Sequence, residues 1–207
     1  MVDYKDYELK ETSREKESIE WTITYSFHTE RTDLPRVLLI GDSICHGYSS
    51  KVNQKLDGKC NVTYWASSKC VTDKDYFREL DFILDGYKFD IVSFNNGLHS
   101  LFTDREEWKT AYKSAVEFIQ AKCPNAKVYL TLSTPVENEE NNERCIELNL
   151  PVKAIAEEKL LPVIDLYSPI KEFENKMPWS DGVHFKEEYV ELQSKIVADT
   201  VKNALNI

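Results

Sequence analysis

The sequence predicts an α/β fold, a five-stranded parallel sheet with helices on both faces. Three observations lead there. Val37-Leu38-Leu39-Ile40 is an unbroken aliphatic run that stops at Gly41-Asp42-Ser43, the pattern of a strand buried on both faces. Four further short strand-like segments follow it: Val62–Trp65, Asp90–Phe94, Lys127–Leu132 and Val163–Leu166. The segments between them carry helical spacing, and parallel strands need such crossovers.

Gly41 lets the backbone turn sharply at the end of the first strand. Ser43 is then left at the carboxyl edge of the sheet, where open α/β sheets place their ligands. Taken alone, the same residues also fit an ordinary turn with a serine capping the next helix. That helix is expected over Tyr48–Leu56. A second is expected over Asp73–Leu84, with Tyr76, Phe77, Leu80, Ile83 and Leu84 on one face. Thr103 and Glu106 have the spacing of a capping box. They precede a helix that turns Trp108, Ala111, Tyr112, Ala115, Phe118 and Ile119 inward and ends before Pro124. A polar loop from Glu137 to Glu143 leads into a helical stretch interrupted near Pro151, with Val152–Lys159 a separate or kinked helix. The last helix is expected over Phe185–Leu205, with Tyr189, Ile196, Val197, Val201 and Leu205 inward.

Residues 1–33 differ from the rest. They are charge-rich, then alternate through Trp21, Ile23, Tyr25 and Phe27 on one face, as an extended segment would. This reads as cover laid against the domain, with a lid over a pocket as the alternative. The remaining residues, 34–207, are enough for one domain with a substantial core.

Composition narrows the partners. The chain of 207 residues is 42% hydrophobic and 30% charged, the balance of a globular protein. A net charge of -10 argues against nucleic acid or an anionic membrane as the main partner, and no apolar run is long enough to span a bilayer. Met1 to Lys16 lacks the apolar stretch of a signal peptide. Cys45, Cys60, Cys70, Cys123 and Cys145 are odd in number and have no C-x-x-C spacing, which fits reduced, buried thiols. A cytoplasmic location is therefore expected.

A serine hydroxyl needs a base within reach to act as a nucleophile. The candidates are His28, His46, His99 and His184. His184 stands three residues after Asp181, just before the last helix. A turn there can bring carboxylate and imidazole together, although Asp-x-x-His by itself is a weak signal, since a carboxylate near a helix start is often just a cap. His46 fits the helix after Ser43 better than a base, Asp165 fits a cap, and Trp179 either walls a pocket or packs. No two candidate ligands have zinc spacing. Gly41 and Gly47 form no phosphate-cradling loop, which opposes a nucleotide- or flavin-binding reading.

The pairing of Gly41-Asp42-Ser43 near one end with Asp181-Gly182-Val183-His184 near the other resembles the SGNH (GDSL-type) hydrolases, from about Val37 to the C-terminus. The resemblance implies a flavodoxin-like three-layer α/β/α sandwich as the hydrolase domain. It implies cleavage of carboxylic esters, often on carbohydrates or lipids, through an acyl-serine intermediate and with no cofactor or metal. Ser43 matches the nucleophile, His184 the general base and Asp181 its orienting acid, while Asp42 belongs to the motif outside the triad.

Two blocks depart from the family pattern. In Ala66-Ser67-Ser68-Lys69-Cys70-Val71-Thr72, Cys70 stands where a glycine donates its amide to the oxyanion. In Asn95-Asn96-Gly97-Leu98-His99-Ser100, His99 stands at the oxyanion-binding asparagine. The expected oxyanion donors are thus the amides of Ser43 and Cys70 with the side chain of His99 or Asn96. A short acyl ester, acetyl on a sugar above all, is the substrate the resemblance suggests. The alternatives are a non-catalytic carbohydrate-binding member of the same fold and an acyltransferase using the same serine.

Overall fold

A computed structural model describes residues 2–207. In chain order the elements are β1 (Thr22–Ser26), β2 (Arg36–Gly41), α1 (Ser43–Lys55), β3 (Asn61–Ser67), α2 (Tyr76–Leu84), β4 (Ile91–Phe94), α3 (Arg105–Lys122), β5 (Lys127–Thr131), α4 (Glu139–Glu158), β6 (Val163–Ile164), α5 (Ser168–Lys171) and α6 (Glu187–Leu205). One sheet runs in the order β1-β3-β2-β4-β5-β6. Helices cover both of its faces.

β2 explains the layering. Val37, Leu38, Leu39 and Ile40 are each at most 1% exposed, because successive side chains point to opposite faces and both faces are packed. Leu38 and Ile40 enter a core shared with α2, α3 and α4. Val37 and Leu39 enter a second core shared with α1 and α6.

All five expected strands form and pair in parallel. The sheet nonetheless has six strands, because the alternating N-terminal segment adds β1 antiparallel to β3, with Tyr25 opposite Tyr64. The physical reason is the edge: without β1, β3 would expose a row of unpaired amides and carbonyls. Trp21, Ile23 and Phe27 pack on the α1 side as the alternation predicts. Tyr25 stays 55% exposed and stacks on Tyr64 at 5.5 Å.

Several helix boundaries differ from expectation, each for a local reason. α1 begins at Ser43 rather than Tyr48, since the Asp42 carboxylate caps it by accepting from the amide of Ile44 at 2.9 Å. Starting so early brings the helix against the strand end: a Cβ on Gly41 would sit 2.6 Å from Cys45 Cβ. α2 begins at Tyr76, three residues late, because the Asp73 carboxylate is drawn inward to the amide of Cys70.

The cap of α3 is Asp104, which accepts from the amides of Glu106 and Glu107 at 3.1 and 3.0 Å. Thr103 does not form the expected box and is buried beside Cys70 instead. α4 runs continuously with Pro151 inside it. Burial of Cys145, Leu148, Val152 and Ile155 on both sides of the proline offsets the one hydrogen bond that proline removes. The final helix starts at Glu187, after Phe185 has paired with Trp179.

All five cysteines are buried free thiols. Burial pushes Cys45 and Cys145 up to about 12. Among the described residues, no helix is long and apolar enough to cross a membrane.

Leu39 tests the central strand. Leu39→Ala should cost about 2–5 kcal/mol, read as a lower urea midpoint at unchanged m-value. A loss below about 1 kcal/mol would contradict the two-faced burial of β2.

Candidate active site

The sheet order fixes where a site can form. From β2 the chain crosses to β3 on one side and then to β4 on the other. The carboxyl end of β2 is therefore a topological switch point, with an open crevice beside it. Ser43 is the first residue of α1 at that point. Its amide has no acceptor inside the helix, and the positive end of the helix dipole lies beside it.

The partner residues arrive from the loop between α5 and α6. Ser180 donates its amide to the carbonyl of His184 at 2.7 Å, closing a tight turn. Gly182, at φ +88°, lies in that turn, in the left-handed region that disfavours other side chains. Asp181 Oδ1 accepts from the amides of Val183 (3.0 Å) and His184 (2.7 Å). Its Oδ2 lies 2.7 Å from His184 Nδ1, and His184 Nε2 lies 2.8 Å from Ser43 Oγ. Serine, imidazole and carboxylate thus form one hydrogen-bonded chain. With the carboxylate on Nδ1, the neutral ring carries its proton there and offers Nε2 as an acceptor to the hydroxyl.

The bond from the His184 ring, helped by the two amides, holds the Asp181 carboxyl at about 2, below its ordinary 3.8. The ionised form is favoured by the fold, so this contribution to stability is full above 3.8 and is lost as pH falls towards 2.

The cleft over these residues encloses about 600 Å³ and is also lined by Leu98, His99, Leu101, Val136, Glu137 and Asn138. His99 reaches this cleft, while its Nδ1 lies 2.5 Å from Glu17 Oε1 and Trp21 meets the ring edge-on at 5.9 Å.

The other two expected oxyanion donors are turned elsewhere. The Cys70 amide donates to Asp73 Oδ2 at 2.9 Å, and that carboxylate is clamped by Arg14. Asn96 gives one of its two Nδ2 hydrogens to the carbonyl of Lys69, and its Oδ1 accepts from the Val71 amide and from Ser100 Oγ. Ser68 and Lys69 also spend their amides inside the protein. The loop after β3 is held by this network. That is the physical reason the Cys70 amide is not free for the cleft and Asn96 spends an amide hydrogen on the Lys69 carbonyl.

The remaining candidates take structural places. His46 Nδ1 pairs with the Tyr64 hydroxyl at 3.0 Å. Asp165 caps α5 through Tyr167 and Ser168. Trp179 is buried and donates to the carbonyl of Pro135. Sequence reasoning missed Arg14, Glu17, Asp73 and Glu137. Charged residues in charged or loop segments carry no periodic signal that would have separated them from solvated ones.

No protein-family model matches the chain, and no curated protein sequence matches it. Solved structures do. An acetyl xylan esterase superposes with a TM-score of 0.68 at 18% identity over 80% of this chain and 99% of its own. An acetylxylan esterase from Geobacillus stearothermophilus gives 0.66 at 19% over 84% and 94%. A GDSL-like lipase from Bacteroides thetaiotaomicron gives 0.65 at 20% over 82% and 88%. The fold is that of the GDSL-type hydrolases. In this chain the segment before β1 packs along the loop after β3 through Arg14 and meets His99 through Glu17.

Two measurements check the geometry around Asp181. Its carboxyl carbon, followed by NMR, should titrate near pH 2, whereas a midpoint at the ordinary 3.8 would contradict the bond to His184. In His184→Ala the midpoint should move upward, because the largest cause of the shift has been removed.

Proposed function

We propose that the protein is a serine esterase that releases short acyl groups from neutral, carbohydrate-like alcohols. The observation that carries this reading is the chain Ser43 Oγ–His184 Nε2 at 2.8 Å and His184 Nδ1–Asp181 Oδ2 at 2.7 Å. Such spacing lets His184 take the Ser43 proton as Oγ attacks the ester carbonyl. Asp181 keeps the ring in the required tautomer and balances the imidazolium that forms. His184 then protonates the departing alcohol, and water, activated by the same imidazole, releases the acyl group from Ser43.

The developing oxyanion is stabilised by the Ser43 amide at the head of α1 and by the Nε2 side of His99. One such donor contributes on the order of 3 kcal/mol to the transition state. Cys70 and Asn96 are assigned to holding the loop instead.

The cleft supports the substrate class. Leu98, Leu101, Val136 and Val183 offer an apolar wall for an acyl group, and Glu137, Asn138 and Asn141 offer hydrogen-bonding partners for hydroxyls. Its lining contains Glu137 and Asp181 but no lysine or arginine, so an anionic ester meets unbalanced negative charge. Two of the superposed proteins are acetylxylan esterases by name, in keeping with an acetylated sugar. Residues 34–207 would form the hydrolase domain, with 1–33 as an extension upon it.

A second reading, a protein that binds sugar esters without turning them over, is favoured by the engaged amides from Ser68 to Val71. A fluorophosphonate probe separates the two: labelling at Ser43 supports the esterase, and well-folded protein that resists labelling supports the binder.

Acetylated oligosaccharides and aryl acetates should be hydrolysed, and Ser43→Ala should lower kcat by about 10³-fold or more with an unchanged melting temperature. Neutral acetyl esters should exceed anionic succinyl esters in kcat/KM by about 10-fold or more, a gap that narrows in Glu137→Gln. Wild-type turnover by Ser43→Ala would overturn the assignment. Equal use of both esters would overturn the charge argument.

A further inference from the structure

We propose that Glu17, in the N-terminal segment, is a positioning residue for ester hydrolysis that acts through His99. The inference rests on the esterase reading and goes beyond it by giving the segment before β1 a part in the reaction.

An imidazole on a short loop can present either nitrogen to a cleft, since rotation about its last side-chain bond is soft. Here Nδ1 is taken by Glu17 Oε1 at 2.5 Å, and Trp21 meets the ring edge-on. Nε2 is left without a protein partner among the described residues, on a side chain that lines the cleft with Ser43 and His184. When Nδ1–H donates to the carboxylate, Nε2 becomes a donor only if the ring carries both protons. A carboxylate is the acceptor that balances that extra charge, and charged donors form the stronger hydrogen bonds. The other titratable groups bordering the cleft are Asp181, His184 and Glu137, and none of them hydrogen-bonds His99.

Glu17 is itself held in place. Its amide donates to Glu20 Oε1 at 3.0 Å, and Glu20 Oε2 accepts from Ser68 Oγ at 2.6 Å. Arg14, with its side chain only 3% exposed, bonds Glu20 and Asp73 together, and it also donates to the carbonyl of Ser68 at 3.1 Å. A buried guanidinium with this many acceptors fixes the backbone from which Glu17 reaches the ring. The same arginine clamps the carboxylate that takes the Cys70 amide. The network that removes one expected donor thus orients another.

A kinetic double-mutant cycle on an acetyl ester tests this. Glu17→Ala should lower kcat by about 10-fold or more, part of the roughly 10²–10³-fold that losing one oxyanion donor costs, with KM little changed. Glu17→Gln should recover part of the loss, because its amide oxygen can still accept from Nδ1–H. In a His99→Ala background, Glu17→Ala should have no further effect, which a merely structural role would not produce. Unchanged kcat in Glu17→Ala, or an equal loss in both backgrounds, would overturn the proposal. Ser43-dependent hydrolysis that ignores Glu17 refutes this inference alone. A wild-type protein without Ser43-dependent hydrolysis refutes the esterase reading and this inference with it.

Discussion

The hydrogen bond between His184 Nε2 and Ser43 Oγ joins residues 141 positions apart in sequence, and most of the architecture is what brings them together. β2, buried on both faces, ends at the switch point of the sheet. Gly41 permits α1 to start at once, close against the strand, so that Ser43 occupies the helix's first position. On the other side, α6 packs against α1 through the core that also holds Val37 and Leu39. That packing places the loop ahead of α6 over the carboxyl end of β2. The two-layered core and the meeting of Ser43 with His184 are thus consequences of the same burial.

The local chemistry follows from short-range constraints. The left-handed backbone at Gly182 lets one carboxylate accept two amides and the ring of the histidine that follows. The result is an acid held ionised and an imidazole fixed in one tautomer, both half open to the cleft. The loop after β3 goes the other way. Arg14, Asp73 and Asn96 lock it, and its amides serve the protein rather than the cleft. The oxyanion donors proposed for this chain are therefore the amide at the head of α1 and the ring of His99.

Much of this was legible in the residues. The aliphatic run Val37–Ile40 specified a strand packed on both faces, and the spacing within 76–84 and 108–119 specified helix faces that are indeed buried. The sixth strand was half legible: the alternation at Trp21, Ile23, Tyr25 and Phe27 gave an extended segment, but nothing local says which edge it pairs with. Helix starts were less legible, because Asp42 and Asp104 compete with neighbouring hydroxyls for the same amides and only tertiary packing decides. The pairing of Ser43 with Asp181 and His184 could be suspected from spacing and resemblance. The diversion of the Cys70 amide could not, because the Asp73 carboxylate that takes it is held inward by Arg14, which lies in a distant stretch without periodicity.

The role proposed for His184 is to make Ser43 nucleophilic. It is tested most directly by brief incubation with an activated acetyl ester, an acid quench, and peptide mapping by mass spectrometry. A single acetyl group on Ser43 is expected, present in the wild-type protein and absent when His184 is replaced by alanine. Acetylation spread over surface lysines with none on Ser43, or equal labelling of Ser43 without the imidazole, would contradict it.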